Sequence, residues 1–381
     1  KTAYLWEEVL SKSSLSNIIQ KFATLITETN SETGKKKRIQ IFPRYHQLTG
    51  VRAILADTKE NGVGGRYLVQ HSAGSGKSNS ITWLALQLVS LFGKDNTTPL
   101  FDSVIVVTDR KVLDEQIRNN IKSFAQVKKM VEAITGEAKD IKALDPEEDS
   151  FTKTTHMRLA LANNKKVITC TVQTFPFVLK TVQDMATKNV AIMIDEAHSS
   201  QSGEAAASMN ALFADIHADD IPRDEEGKIS TEDLLNHLIE GRKMLNNASY
   251  YAFTATPKNK TLETFGTEQA YKDEHGEEHF EYLPFHTYSM KQAIEEEFIL
   301  DVLKNYTTWK SFYKVKQDEG ASGEEQFDTK KANKKIRAFV EGHDIAITEK
   351  SKIMIDHFNE HVRKRIDNKA KAMVVCKSII S

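Results

Sequence analysis

The sequence predicts an α/β fold, a parallel sheet with helices on both faces, and three observations carry that prediction. Short apolar runs rich in β-branched residues recur along the chain. Amphipathic stretches with helical spacing separate them. Each polar signature stands just after one of the runs, where open parallel sheets bind their ligands.

In chain order, residues 1–30 read as a helical lead-in, with Leu5, Trp6, Val9, Leu10, Ile18, Ile19 and Phe22 on its apolar side. The expected strands are 67–69, 104–107, 167–170, 191–194 and 250–253. Helical spacing is expected for Ile81, Leu84, Ala85, Leu88, Val89 and Phe92, and for the stretches 113–124, 177–182 and 234–245. Acidic stretches around 137–150 and 215–232 read as surface insertions, and 316–330 as a linker. A last run, Ala372-Met373-Val374-Val375, reads as the start of another strand.

At 381 residues the chain is too long for one ordinary core and suggests two domains, or one plus part of another. Apolar content of 40% and charged content of 28% are those of a globular protein. No apolar run approaches the length of a membrane span, so no membrane partner is expected. Cys170 and Cys376 are too far apart in sequence to suggest a disulfide framework, which fits a reducing cytoplasm. The first residue is Lys1 rather than Met, and no signal peptide follows, so a piece of a larger protein is expected. A net charge of −1 gives no hint of nucleic acid but does not exclude a local grip on phosphates. Basic runs (35–38, 363–371) and acidic ones (145–149, 219–226, 273–281) read as solvated faces.

Three motifs carry chemistry. After the run Tyr67-Leu68-Val69 comes Gln70-His71-Ser72-Ala73-Gly74-Ser75-Gly76-Lys77-Ser78, and then a helix. Strand, glycine turn and helix is the setting of a phosphate-binding loop. Gly74 and Gly76 let successive N–H groups turn inward as an anion nest at a helix N-terminus. Lys77 brings a point charge to the β- and γ-phosphates, and the Ser78 hydroxyl ligates magnesium. The first position of the pattern, usually Gly or Ala, is here His71. Next, Ile192-Met193-Ile194 runs into Asp195-Glu196-Ala197-His198. An acid at the end of a buried strand is expensive unless it serves an ion, so Asp195 is expected to hold magnesium and Glu196 to deprotonate the attacking water. The third, Thr254-Ala255-Thr256, follows Tyr251-Ala252-Phe253, and its hydroxyls are natural partners for the His198 imidazole in coupling.

That motif order resembles superfamily-two helicases and translocases. More particular tracts are Phe42 to Gln47, Gln70 to Ser80, Val106 to Asp114, Tyr288 to Glu296 and Phe298 to Thr308. Together they resemble the R subunit of type I restriction-modification enzymes, the motor and endonuclease subunit. The resemblance implies a RecA-like P-loop NTPase lobe and the beginning of a second such lobe. Its implied cofactors are ATP and Mg2+. Its implied partners are double-stranded DNA and the modification (methyltransferase) and specificity subunits of a restriction system. By the same resemblance Gln47 reads the adenine edge with Arg44 close by, and residues 72–78 (Ser72, Ala73, Gly74, Ser75, Gly76, Lys77, Ser78) cradle the nucleotide. Thr108, Asp109 and Arg110 match one DNA-contacting motif, and Thr171 and Thr174 lie in the next. Glu297 stands where the family commonly has Gly.

The implied organisation is a lead-in over 1–38 after a nuclease domain, a first motor lobe over 39–268, and a linking segment with part of the second lobe over 269–381. The motif with the transition-state arginine is expected beyond Ser381. Two other readings stay open. One is a different superfamily-two enzyme, such as a type III restriction subunit or a repair helicase. The other is a DNA-binding scaffold with an inactive ATP site.

Overall fold

The computed structural model describes residues 2–29, 36–108, 130–195, 245–272, 278–301 and 343–374. It divides into two compact units, Lys1–Asp301 and Val302–Ser381.

The first unit is built on a seven-stranded sheet of order β11-β3-β8-β7-β4-β6-β5. Its strands are β3 (Arg66–His71), β4 (Ser103–Thr108), β5 (Val131–Ala133), β6 (Val167–Thr171), β7 (Val190–Asp195), β8 (Ala248–Thr254) and β11 (His286–Tyr288). Every pairing within it is parallel. All five expected strands are present. The edge strands β5 and β11 are additional, each three residues long and too short to stand out in sequence.

β4, β7 and β8 are buried along their whole length, as strands covered on both faces must be. Alternate residues serve opposite faces. Leu68, Ile105, Ile192 and Ala252 join one core cluster with Met157 and Phe175. Val69, Val106, Met193 and Phe253 join the other, with Leu48, Ile54, Ile81 and Leu84. Each such Val, Leu, Ile, Met or Phe side chain contributes roughly 1.5–3 kcal/mol by leaving water. This is a RecA-like α/β lobe.

Helices α1 (Lys12–Lys21), α2 (Tyr45–Asn61) and α3 (Lys77–Leu88) supply the second cluster. The short α4 (Ala138–Leu144) lies in the stretch expected as a surface insertion, yet it buries Ile141. Helices α5 (Lys153–Ala162) and α6 (Phe175–Asp184) cover the first cluster, the latter over the expected 177–182. Helix α7 (Asn259–Phe265) follows β8, and α8 (Met290–Glu295) follows β11.

The lead-in differs from expectation. Helix ends at Lys21, and Thr24–Thr29 forms β1, paired antiparallel with β2 (Lys36–Ile41). β-branched Thr24, Ile26, Thr27 and Thr29 favour the extended chain once a partner strand is present. Nor is the lead-in a mere linker, since Ile18 and Phe22 are buried in the lobe's core. Trp83 of α3 packs against Phe22 at a ring separation of 5.6 Å, and its indole N–H donates to the Phe22 carbonyl at 2.8 Å. A second hairpin, β9 (Thr267–Lys272) with β10 (Glu278–Leu283), precedes β11. The sheet therefore continues past residue 268, where the first lobe was expected to end.

In the second unit the described residues form a helix, Asp344–His357, with short helical turns after it. Residues 371–374 form no strand, against expectation: Met373 and Val374 are exposed, and no partner strand lies among the described residues to satisfy their backbone. The expected helix over 113–124, all of that over 234–245 but Leu245, the insertion over 215–232 and the linker over 316–330 lie outside the described residues. Among the described residues no helix is long and apolar enough to cross a membrane.

Replacing Trp83 by Phe keeps the ring but leaves the buried Phe22 carbonyl without its indole donor. Stability should fall by about 1–3 kcal/mol, read from the midpoint of urea unfolding. An unchanged midpoint would show that the lead-in does not depend on this bond.

Candidate nucleotide-binding site

Parallel pairing sets the C-terminal ends of the strands along one edge. Gln70 pairs with Thr254 and Phe253 with Asp195, so the tips of β3, β8 and β7 stand in a row. Two strand spacings, about 10 Å, separate the first from the last. The loop between β3 and α3 lies at one end of that row and the buried Asp195 at the other.

Both loop glycines have the left-handed backbone that the nest requires, with φ +73° at Gly74 and +81° at Gly76. Gly76 is also closely approached: a Cβ there would lie 2.5 Å from the Gln47 amide nitrogen. The first N–H groups of α3 have no acceptor within their own helix, so a bound anion is their natural partner. Lys77 is 7% exposed, and its Nζ donates to the His71 carbonyl at 3.4 Å, across the mouth of the loop. The Ser72 and Ser75 hydroxyls are buried with no hydrogen-bond partner among the described residues, and a triphosphate would supply acceptors for them. Ser78 opens α3 beside Lys77, the position from which its hydroxyl would meet a phosphate-bound cation. Among the described residues no group of three or more His, Cys, Asp or Glu side chains is placed to hold a metal ion.

The start of α2 backs the loop. The Gln47 side-chain oxygen accepts from the Arg44 N–H at 2.8 Å, and its amide nitrogen donates to the carbonyls of Ser75 at 3.2 Å and Gly76 at 3.0 Å. The amide is thus engaged with the loop and the helix cap, and reading a base would require it to exchange one of these partners. Arg44 lies over the Phe298 ring, 3.5 Å from its centroid. His46 Nε2 lies 3.1 Å from the Ser75 carbonyl. A carbonyl can only accept, so this nitrogen carries the proton. Its ring stacks on Tyr288 at 3.8 Å, 6° from parallel.

His71 turns out to be buried rather than part of the cradle's surface. Its Nε2 is 2.9 Å from His286 Nδ1 on β11. Burial, reinforced by His286, His46 and Lys77, pulls the His71 pKa down to about 2, and burial likewise lowers His46 and His286. All three imidazoles are neutral at physiological pH, so the positive charge beside the loop comes from Lys77 and Arg44 rather than from histidine.

The chain after β11 completes the wall. Glu296 accepts from Tyr45 OH at 2.5 Å and from Tyr288 OH at 2.9 Å, bonds that hold its carboxyl below the usual range. Burial, then the Glu296 bond, pushes the Tyr288 phenol up to about 12. The tract from Tyr288 to Glu296 stands out in the sequence, but nothing there assigns these residues a role. Their signal is only that two tyrosines and an acid share a segment, and the pairing with α2 arises over more than 240 residues of separation.

The remaining expected residues divide in two. Thr254 is buried and its hydroxyl accepts from the Thr256 N–H at 3.4 Å. Thr108 and Thr171 are register partners at the tips of β4 and β6. Thr108 and Thr174 are buried, and the Thr171 and Thr174 hydroxyls lie 3.4 Å apart. Thr108, Thr171 and Thr174 occupy the other half of the edge from the loop, whereas Thr254 stands beside the loop's own strand. Asp109, Arg110, Glu196 and His198 lie outside the described residues.

The family model for the SWI2/SNF2 ATPase matches residues 46–337, most of the chain. This chain belongs to the SWI2/SNF2 ATPase family. No curated protein matches it. Among solved structures, this SWI2/SNF2 ATPase is similar to the UvsW helicase from bacteriophage T4, at 15% identity and a TM-score of 0.36, covering 68% of this chain and 66% of that one. It is similar to the Hef helicase domain of Pyrococcus furiosus at 18% identity and a TM-score of 0.32, covering 58% and 35%. A nuclease-deletion mutant of the type ISP restriction-modification enzyme LlaGI, solved with a DNA substrate mimic, matches at 16% identity and a TM-score of 0.33, covering 57% and 18%. The chain thus spans less than two thirds of the length of each.

Glu297 has φ +56°, where glycine is commonly favoured. It ends α8 in a left-handed cap: its N–H donates to Ile294 O at 2.9 Å and the Phe298 N–H to Ala293 O at 2.8 Å. Glu297→Gly should relieve the left-handed strain and raise stability by about 0.5–1 kcal/mol after the entropy glycine adds to the unfolded chain. Urea titration of the two proteins checks this; a loss of stability would mean the Glu297 side chain contributes more than its backbone costs.

Proposed function

We propose that the chain is the ATP-driven motor portion of the R subunit of a type I restriction-modification enzyme. Bound to modification and specificity subunits in the cytoplasm, the parent protein would move double-stranded DNA before cleavage. The observation that carries this reading is the co-occurrence, in one chain, of the tracts 42–47, 70–80, 106–114, 288–296 and 298–308. Membership of the SWI2/SNF2 ATPase family supports its ATPase part, and the neutral, amide-lined loop with a buried lysine fits a magnesium-bound triphosphate.

In this reading Lys77 neutralises the β- and γ-phosphates, and Ser78 and Asp195 hold Mg2+, whose chemistry is to draw charge from the transferred group. Glu196 orients and deprotonates the water. His198 with Thr254 and Thr256 couples nucleotide state to the DNA side, where Thr108, Arg110, Thr171 and Thr174 stand. The lobe up to Asp301 is the first motor lobe, and the chain beyond leads into a second. Closure and reopening of two lobes around ATP would shift the grip on one strand per cycle.

Two experiments test the reading in a complex reassembled from the full-length protein with its modification and specificity subunits. Lys77→Ala should abolish ATP-dependent displacement of a third strand from duplex DNA; sustained displacement would remove the site assignment. Glu196→Gln should bind ATP as before yet hydrolyse it at least about 100-fold more slowly, measured by phosphate release. Near-normal turnover would take the water from Glu196.

A further inference from the structure

In an anion nest the amides point inward, so the intervening carbonyls must turn out. Turned into a packed interior, each needs a donor. The Ser75 carbonyl receives two, from His46 Nε2 at 3.1 Å and from the Gln47 amide at 3.2 Å. Gln47 is shared with the Gly76 carbonyl and with the helix cap, whereas the His46 donor serves Ser75 alone. The opposite ring nitrogen, His46 Nδ1, is buried without a partner among the described residues, so the proton sits on the nitrogen that faces the loop.

The ring is fixed from behind. Tyr288 lies flat against it, and the Tyr288 hydroxyl is held by Glu296, which also holds Tyr45, the neighbour of His46 in sequence. His46 therefore has one orientation, with one nitrogen aimed at the loop.

We infer that His46 is a positioning residue for the phosphate loop, keeping the Ser75 carbonyl turned outward so that the loop's amides converge on bound phosphates, with Tyr288 fixing the ring. The inference rests on the nucleotide-binding reading above. It places His46 on the phosphate side of the pocket, not the base side.

The test uses the chain as it stands, titrated with Mg·ATP and separately with magnesium tripolyphosphate by calorimetry, with melting temperature recorded without ligand. His46→Phe keeps the stacking ring but removes the donor, and should weaken both ligands by about tenfold, the loss of one hydrogen bond. His46→Gln, which returns an N–H near the Nε2 position, should stay within about threefold of the unaltered chain. Tyr288→Leu, which frees the ring while leaving the β11 backbone in place, should weaken both ligands in the same way and serves if His46→Phe does not fold. Binding by a folded His46→Phe or Tyr288→Leu variant equal to the unaltered chain, a loss accounted for by lowered melting temperature alone, or a loss confined to ATP would overturn the inference. Absence of ATP binding by the unaltered chain would overturn the nucleotide reading itself, and the inference with it.

Discussion

The site depends on one constraint, the parallel pairing of β3, β8 and β7. Because all three strands run the same way, their C-terminal tips meet on one edge. The loop after β3 and the acid ending β7 then face a common space although some 120 residues of chain separate Lys77 from Asp195. An antiparallel partner at either place would send one of them to the far end of the sheet. The continuous burial of β4, β7 and β8 accompanies that direction, since the crossovers that join parallel strands lay helices on both faces.

Upon that frame a second constraint acts. A loop that offers its amides to an anion has carbonyls to settle elsewhere, and α2 and β11 settle them. Gln47 and His46 donate from the helix. His286 and Tyr288, two residues apart on one strand and so on one face, buttress His71 and His46. The three-residue β11 contributes little to the sheet and much to the loop. Burial keeps this group of imidazoles neutral, which leaves the positive charge beside the loop to Lys77 and Arg44.

The strand, left-handed glycine turn and helix of the candidate loop were legible because the signal is local: two glycines, a lysine and a hydroxyl residue at fixed spacing between an apolar run and a helix. The buried place of Asp195 at a strand tip was legible for a similar reason, an acid ending the apolar Ala191-Ile192-Met193-Ile194 pattern. His71 shows where local reading stopped. Its place in the motif marked it as unusual, but its imidazole serves His286, which lies 215 residues away in sequence. Gln47 shows the same limit, with an amide expected at a base and found spanning a helix cap and two loop carbonyls.

The sequence alone determined the α/β class, the five central strands and the residue types of the phosphate loop, because periodicity, glycine freedom and motif spacing are properties of neighbouring residues. Tertiary structure decided that residues 24–29 are strand rather than helix, that β11 extends the sheet past residue 268, and that Tyr45, His46, Tyr288 and Glu296 form a wall behind the loop. Each of those outcomes depends on a partner distant along the chain: a strand needs its opposite edge, and a buried carbonyl its donor. Only folding brings them within hydrogen-bonding distance.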